Sequence, residues 1–189
     1  MKIRKFYGKL LENITIESAG AEGNCIARWE GKVVFVKNAV PGDVCDLKVI
    51  GKKKKFLLGE IVKLHTSGPE RVEPFCEHFG TCGGCKWQQM EYSGQLAFKT
   101  QQVKDAFDRI GKVDYDEVPL ALGSAHTQLY RNKMEYTYSH SRWLTREQLA
   151  ETAFIEESGL GFHVPKRYDK IVHIDKCYLQ DDYANEIRN

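Results

Sequence analysis

The sequence predicts a mainly β protein with some helix. A small five-stranded β-barrel is expected in residues 1–66, and an α+β region with an antiparallel sheet is expected in residues 67–189. Short apolar runs separated by turn residues predict the barrel, and alternating segments near the end of the chain predict the sheet. An apolar stripe at helical spacing predicts one amphipathic helix over residues 93–110. A chain of 189 residues with 42% apolar residues can bury two small cores.

The barrel prediction rests on strands and turns in residues 11–65. The apolar runs begin at Leu11 and lie at residues 11–16, 33–36, 44–50 and 56–64, with a glycine-containing loop at residues 19–25. Pro41 and Gly42 make a turn, since proline presets φ and glycine accepts a positive φ. Several short strands at regular spacing are typical of an OB-like barrel that is closed or nearly so.

A run of four lysines separates the last two predicted strands and is expected at a hairpin tip: Lys52, Lys53, Lys54 and Lys55. One interpretation is a solvated loop, because like-charge runs often serve only solubility. The other is a phosphate clamp, because each lysine that neutralises a phosphate releases counterions. Residues 1–65 carry a net charge of +6 and residues 66–189 carry −4, so the amino-terminal third is the part expected to face a polyanion.

A cysteine cluster follows the barrel, with the spacing C-x5-C-x2-C at Cys76, Cys82 and Cys85 and a fourth cysteine, Cys177, after 91 intervening residues. Three clustered cysteines and a remote one follow the spacing of plant-type ferredoxins. A structural zinc site, which usually has two close ligand pairs, is the alternative. A radical enzyme that splits S-adenosylmethionine would use C-x3-C-x2-C, which differs here in its first gap. The other two cysteines, Cys25 and Cys45, are expected in the barrel core.

The remainder of the chain predicts a helix and three strands. Ser93 is expected to cap the helix and Gly111 to end it, with a buried stripe of Leu96, Val103, Phe107 and Ile110. The alternating strand at residues 130–140 would place Tyr130, Met134, Tyr136 and Tyr138 in the core. Arg131 and Lys133 lie on its other face, where they bind RNA or are simply solvated. Strands at residues 159–164 and 171–174 would pair antiparallel with it and carry Cys177 back to the other three cysteines.

Several function classes lack support in the residues. No apolar run is long enough to cross a membrane, and the basic start has no apolar core of a secretory signal. Clustered cysteines without an export signal point to metal ligands in the reducing cytoplasm. His78 and His163 have no recognisable catalytic partners, and there is no glycine-rich phosphate loop. We therefore assign no catalytic and no organic-cofactor residue.

The motifs together resemble one family. The chain is similar to the amino-terminal part of the RNA 5-methyluridine methyltransferases, the RumA/TrmA family, in its cluster-containing ribosomal RNA branch. The segments that carry the resemblance are VVFVKNAVPGD (33–43), SGPERVEPFCEHFGTCGGCKWQQM (67–90), YRNKMEYTYS (130–139), GLGFH (159–163) and DKCYLQ (175–180).

The resemblance implies a TRAM RNA-binding barrel and a [4Fe–4S] cluster on Cys76, Cys82, Cys85 and Cys177. It implies 23S ribosomal RNA as the substrate, because the tRNA branch of the family lacks this cysteine set. S-adenosylmethionine would be bound by a class I methyltransferase domain that is absent from this chain, and the protein would be a cytoplasmic monomer. The cluster is expected to tie residues 76–90 to residues 175–180. A stand-alone RNA-binding module with a structural four-cysteine metal site, and a redox or sulfur-transfer protein, are the competing hypotheses.

Overall fold

The computed structural model describes residues 6–151, 157–165 and 167–189. The chain forms two compact units: one contains the chain up to Pro74 together with Lys86–Gly123, and the other contains Phe75–Cys85 and Ser124–Asn189. The last barrel strand ends at Thr66, but the predicted helix belongs to the same unit as the barrel. A functional boundary after residue 66 stays a prediction. No helix among the described residues has the length and apolar character that crossing a bilayer requires.

The first unit is built on a closed barrel of five strands, as predicted. The strands are β1 (Leu10–Ala19), β2 (Asn24–Trp29), β3 (Lys32–Lys37), β4 (Val44–Lys52) and β5 (Phe56–Thr66). Their order around the barrel is β1-β2-β3-β5-β4, with one parallel pair, β3 with β5, among antiparallel neighbours. The predicted loop at residues 19–25 is shorter than expected, because Asn24 and Cys25 already pair with β3.

The barrel interior follows the alternation of the sequence. Cys45, Leu47 and Val49 on β4 are fully buried, as their shared face predicts. Cys25 is also fully buried, and its thiol donates a hydrogen bond to the carbonyl oxygen of Ala39 at 3.0 Å. Burial raises the pKa of Cys25 to about 12 and that of Cys45 to about 11, so both thiols stay protonated at neutral pH. These two cysteines are core residues.

A buried ion pair locks the turn after β3 to the segment after β5. The carboxylate of Asp43, which has no exposed surface, accepts hydrogen bonds from Arg71 Nε at 2.9 Å and Arg71 Nη2 at 2.6 Å. It also accepts from the backbone N–H groups of Val40 at 2.7 Å and Gly68 at 2.9 Å. Burial by itself would raise the pKa of Asp43, but these hydrogen bonds outweigh it and hold the pKa below its usual value.

The helix differs from its prediction at both ends. Helix α1 spans Tyr92–Ala106 and continues into one π-helical turn, Phe107–Gly111. Its cap residue is Glu91, and the Ser93 hydroxyl bonds the Glu70 carboxylate at 3.4 Å instead of capping the helix. The left-handed residue that ends the helical turn is Lys112, with φ of 50°, and not Gly111.

Three of the four residues in the predicted apolar stripe of α1 are exposed, and Leu96 is half-buried. Val103 is 43% exposed, Phe107 is 37% exposed and Ile110 is 83% exposed. The buried positions are instead Gly94 and Thr100. A methyl group on Gly94 would lie only 2.9 Å from a carboxylate oxygen of Glu70, so the helix packs closely against the Glu70 side chain at this position.

The second unit contains the predicted antiparallel sheet in modified form. Its strands are β6 (Thr137–Ser139), β7 (Gly159–Val164) and β8 (Arg167–His173), in the order β6-β7-β8. Two short helices, α2 (Arg146–Glu151) and α3 (Asp182–Arg188), complete the unit. The strand predicted from residue 171 begins earlier in the chain, at Arg167.

The strand predicted at residues 130–140 is mostly irregular. The backbone N–H groups of Leu129 and Arg131 donate to the carbonyl oxygens of Tyr178 and Leu179, so this part pairs outside the three-stranded sheet. Tyr136 packs against the core, whereas Tyr130 and Tyr138 are each 60% exposed, contrary to the prediction. Backbone hydrogen bonds to residues 178 and 179, and not the alternation of side chains, therefore decide the structure of this segment.

Candidate metal centre

All four predicted cysteine ligands lie in the second unit. Cys177 is 8% exposed and belongs to a small core with Val172, Ile174 and Leu179, against which Cys82 and Cys85 pack. Cys76 is close enough to Cys85 and Cys177 for their charges to act on its pKa. The fold thus brings together thiols that 91 residues of sequence separate.

The loop that carries the first three cysteines is held by short-range backbone bonds. The N–H of Cys82 donates to the carbonyl oxygen of His78 at 2.8 Å, and the N–H of Gly84 donates to the sulfur of Cys82 at 3.4 Å. At Gly83 an added methyl group would lie 2.9 Å from the carbonyl oxygen of His163, so only glycine permits the approach of this loop to β7. The N–H directed at sulfur is the arrangement expected of a thiolate-ligating loop.

The fourth cysteine is fixed by a residue that the sequence analysis missed. The side-chain oxygen of Asn185 accepts from the N–H of Cys177 at 2.9 Å, and its amide nitrogen donates to the carbonyl oxygen of Cys177 at 3.1 Å. Gln180 donates to the same Asn185 oxygen at 3.0 Å. Asn185 is 6% exposed on α3, whose first turn Asp181 caps. An aspartate cap after DKCYLQ was the available signal for this helix.

One contact ties the cysteine loop to the segment before Cys177, and Arg188 ties helix α3 to the same segment. The Nε2 atom of His78 accepts from the N–H of Asp175 at 3.2 Å. The Arg188 guanidinium donates to the carbonyl oxygen of Ile174 and, at 2.7 Å, to that of Asp175. It also lies 5.0 Å from the centre of the Tyr136 ring. His78 therefore has a structural hydrogen bond, and the two segments meet through protein contacts alone.

Two of the four cysteines border a space that can hold a prosthetic group. A cavity of about 560 Å³ is lined by Cys85 and Cys177, by Gly83 and Gly84, and by apolar side chains that include Phe162. Its wall also contains the predicted RNA-contact residues Arg131 and Lys133. Sulfur donors with neighbouring N–H groups and an adjacent cavity fit a metal group that prefers thiolate ligands.

Burial favours the protonated form of the Cys76 and Cys82 thiols. It raises the pKa of Cys82 to about 11, against a smaller opposing effect of the Gly84 N–H, and it raises the pKa of Cys76. The nearby Tyr136 phenol has its pKa raised to about 12, mainly by burial and then by the charge of Cys177. Metal binding must therefore displace protons from these thiols, because only thiolates ligate.

The predicted RNA-contact lysines occupy the connection between β4 and β5. Lys52 is the last residue of β4, and Lys53, Lys54 and Lys55 form the tip before Phe56, as predicted. In the second unit, Lys133 is 83% exposed at its side chain and forms an ion pair with Glu135 at 3.0 Å. The roles of these residues and of Arg131 in RNA binding stay predictions.

Comparison with known proteins identifies the barrel and the wider relationship. Residues 11–62 match the TRAM domain family. A protein named as an uncharacterized RNA methyltransferase of Bacteroides thetaiotaomicron is 48% identical over 170 residues, which is 89% of this chain and 37% of the relative. A protein of the same name from Porphyromonas gingivalis is 46% identical over 177 residues, which is 92% of this chain and 38% of the relative.

A solved structure agrees with this relationship at the level of fold. The tRNA (uracil-54, C5)-methyltransferase of Pyrococcus abyssi, in complex with S-adenosyl-L-homocysteine, matches 92% of this chain and 34% of its own length, with a TM-score of 0.50 and 24% identity. The chain is thus a TRAM-domain protein. Along most of its length it is a homologue of the RumA/TrmA-like RNA methyltransferases, and it spans a little over a third of the curated relatives that it matches.

Proposed function

We propose that this chain is the RNA-recognition and cluster-binding part of an S-adenosylmethionine-dependent 23S rRNA (uracil-5-)-methyltransferase. The meeting of four cysteines in one unit is the observation that carries the proposal, because the resemblance ties this cysteine set to the ribosomal RNA branch. The TRAM barrel and the homologues named RNA methyltransferases support RNA as the ligand.

Cys76, Cys82, Cys85 and Cys177 would hold a [4Fe–4S] cluster in this proposal. Three clustered cysteines and one remote cysteine follow the spacing of plant-type ferredoxins, whereas a structural zinc site usually has two close ligand pairs. This spacing along the chain and the adjacent cavity support a multinuclear cluster over zinc.

The proposed role of the cluster is structural. Four thiolates around a [4Fe–4S]2+ core carry a net charge of about −2, which repels phosphate. The cluster is therefore not expected to face the RNA backbone, and it would fasten the cysteine loop to the segment before α3. Arg131 and Lys133 on the cavity wall would offset its charge and contact RNA. S-adenosylmethionine would supply the methyl group, and no residue of this chain is assigned to the transfer step. The protein would act as a cytoplasmic monomer.

Deletion of the encoding gene tests the proposed function. We expect one 5-methyluridine to disappear from 23S rRNA in a nuclease-digest mass map, while tRNA 5-methyluridine is retained. Restoration by the natural gene, and its failure with a Cys177→Ser allele, would tie the modification to the metal centre. An unchanged rRNA map would contradict the proposal. If the protein still bound RNA and one zinc ion, the RNA-binding module with a structural metal site would replace it.

A further inference from the structure

One end of the barrel gathers two aromatic rings and several lysines from three separate segments. Here β1 begins next to β4, since the Gly8 N–H donates to the carbonyl oxygen of Val49 at 2.8 Å. The β2–β3 turn lies at the same end, because Val33 at the start of β3 pairs with Phe56 at the start of β5. The lysine tip between β4 and β5 is therefore also at this end.

The rings and ammonium groups are in direct contact. Phe6 and Trp29 pack edge to face, with ring centres 6.3 Å apart, and both are half-buried on the barrel core. The Lys9 ammonium lies 4.1 Å from the centre of the Trp29 ring, and that of Lys52 lies 4.5 Å from the Phe6 ring. The Lys32 ammonium is within 6 Å of both rings. We name these five residues the barrel-end patch.

The positive charge of the barrel-end patch is not neutralised by ion pairs among the described residues. Within the described part of the chain, its three lysines form no ion pair with an acidic side chain. The neighbouring tip adds Lys53, Lys54 and Lys55, and the only acidic residue in the three contributing segments is Glu30. Like charges held this close repel each other, and a bound polyanion would relieve that repulsion.

We propose that the barrel-end patch binds single-stranded RNA by stacking a nucleobase on Trp29 and Phe6 while its lysines contact the flanking phosphates. An exposed cation–π contact is weaker than base stacking on an aromatic ring. A base can thus displace the Lys9 or Lys52 ammonium from its ring, and the freed ammonium can pair with phosphate. This inference rests on the proposed function only in taking RNA as the ligand.

Substitution of Trp29 tests the stacking step on the full chain. With a ten-nucleotide oligouridylate as the probe, Trp29→Leu should weaken binding about tenfold, and Trp29→Phe should stay within about threefold because it keeps an aromatic face. Binding of inorganic polyphosphate, which has no bases, should be unchanged in both variants. A folded Trp29→Leu protein with natural affinity for the oligonucleotide would overturn the proposal.

A pair of lysine substitutions tests which positive charges contact the RNA phosphates. Lys9→Gln with Lys32→Gln should weaken oligonucleotide binding and flatten its salt dependence. The matched control is Lys37→Gln with Lys63→Gln, because these exposed lysines lie toward the other ends of β3 and β5. Equal effects of the two pairs would overturn the proposal, since they would show a diffuse charge effect.

Cross-linking of the unsubstituted chain covers the case in which Trp29→Leu does not fold. A 4-thiouridine decamer should label the peptides that contain residues 6–9 or 29–32, and labelling confined to other peptides would overturn the proposal. The outcomes are separable from those of the proposed function. If the rRNA map is unchanged but oligonucleotide binding depends on Trp29, only the proposed methyltransferase role is wrong. If the rRNA map changes but binding does not depend on Trp29, only the proposed role of the barrel-end patch is wrong.

Discussion

The side chain of Asn185 binds both backbone groups of Cys177, at 2.9 Å to its nitrogen and 3.1 Å to its oxygen. The contact fixes the backbone of the fourth candidate ligand independently of any metal. Because Asn185 is buried, these two groups have no water to replace it. The short helix α3 therefore supports the candidate metal centre.

Substitution of Asn185 by Ala should destabilise the second unit and lower its iron content. The buried N–H and carbonyl of Cys177 would lose their partners, at a cost of about 1–3 kcal/mol for each unpaired group. Iron per chain and the thermal unfolding curve measure the two effects. Asn189→Ala is the matched control, because Asn189 is exposed and its amide donates only to the Asp175 carbonyl, at 3.1 Å. Equal losses in the two variants would contradict this role of Asn185.

Anaerobically purified protein should contain about four iron and four sulfide ions per chain, with broad brown absorbance. Cys177→Ser should lose most of the iron, because the serine oxygen is a poorer ligand for a cluster that prefers thiolates. Cys45→Ala should retain it, since Cys45 lies inside the barrel. Metal analysis and the visible spectrum check this expectation. One zinc per chain and no colour would contradict it.

Acidification should weaken the barrel through Asp43. The folded-state pKa of Asp43 is depressed, so its contribution to stability is complete above the unfolded value of about 3.9 and is lost as the pH falls through the folded value. Asp43→Asn should cost about 3–5 kcal/mol at neutral pH, because it leaves the Arg71 charge without its partner. The free energy of unfolding, measured with denaturant, should also depend less on pH in the acid range.

Glu17→Gln is the control for that substitution. Its carboxylate pairs with Arg28 at 3.3 Å, but both side chains are about half exposed, at 46% and 60%. Solvent screening limits the change in stability to about 1 kcal/mol or less. A comparable loss in both variants would show that burial is not what makes the Asp43 pair important.

The lysine tip should contribute salt-dependent RNA affinity. Replacing Lys53, Lys54 and Lys55 by Gln should reduce the slope of log affinity against log salt by about 2 for single-stranded RNA, since each lost phosphate contact removes about 0.7. Replacement of the same three residues by Arg keeps the charge and should preserve the slope. Filter binding over a salt series measures both, and an unchanged slope in the Gln variant would identify the tip as a solvated loop.

The barrel was predictable because one periodicity decides its structure. The alternation of Cys45, Leu47 and Val49 with polar residues predicts the inner face of β4, and all three side chains are fully buried. The orientation of α1 was not predictable in this way. Its most buried residues are Gly94 and Thr100, which carry no apolar signal, whereas Ile110 of the predicted stripe is exposed.

The sequence predicts the ligand types of the candidate site, but it does not predict the residues that hold those ligands in place. Cysteine spacing predicts that Cys76, Cys82 and Cys85 belong together, and antiparallel connections predict the return of Cys177. The fixing of Cys177 depends on Asn185, a polar residue whose importance comes entirely from burial. Burial of a single asparagine in a helix of seven residues is a tertiary property with no local pattern.

The 91-residue separation between Cys85 and Cys177 sets an order of events during synthesis. The chain leaves the ribosome from its amino terminus, so the barrel and the first three thiols emerge well before the fourth thiol and α3. A nascent chain in this interval exposes three of the four candidate ligands to iron donors and oxidants alike. A chain truncated before Cys177 would contain the barrel and an incomplete set of candidate ligands.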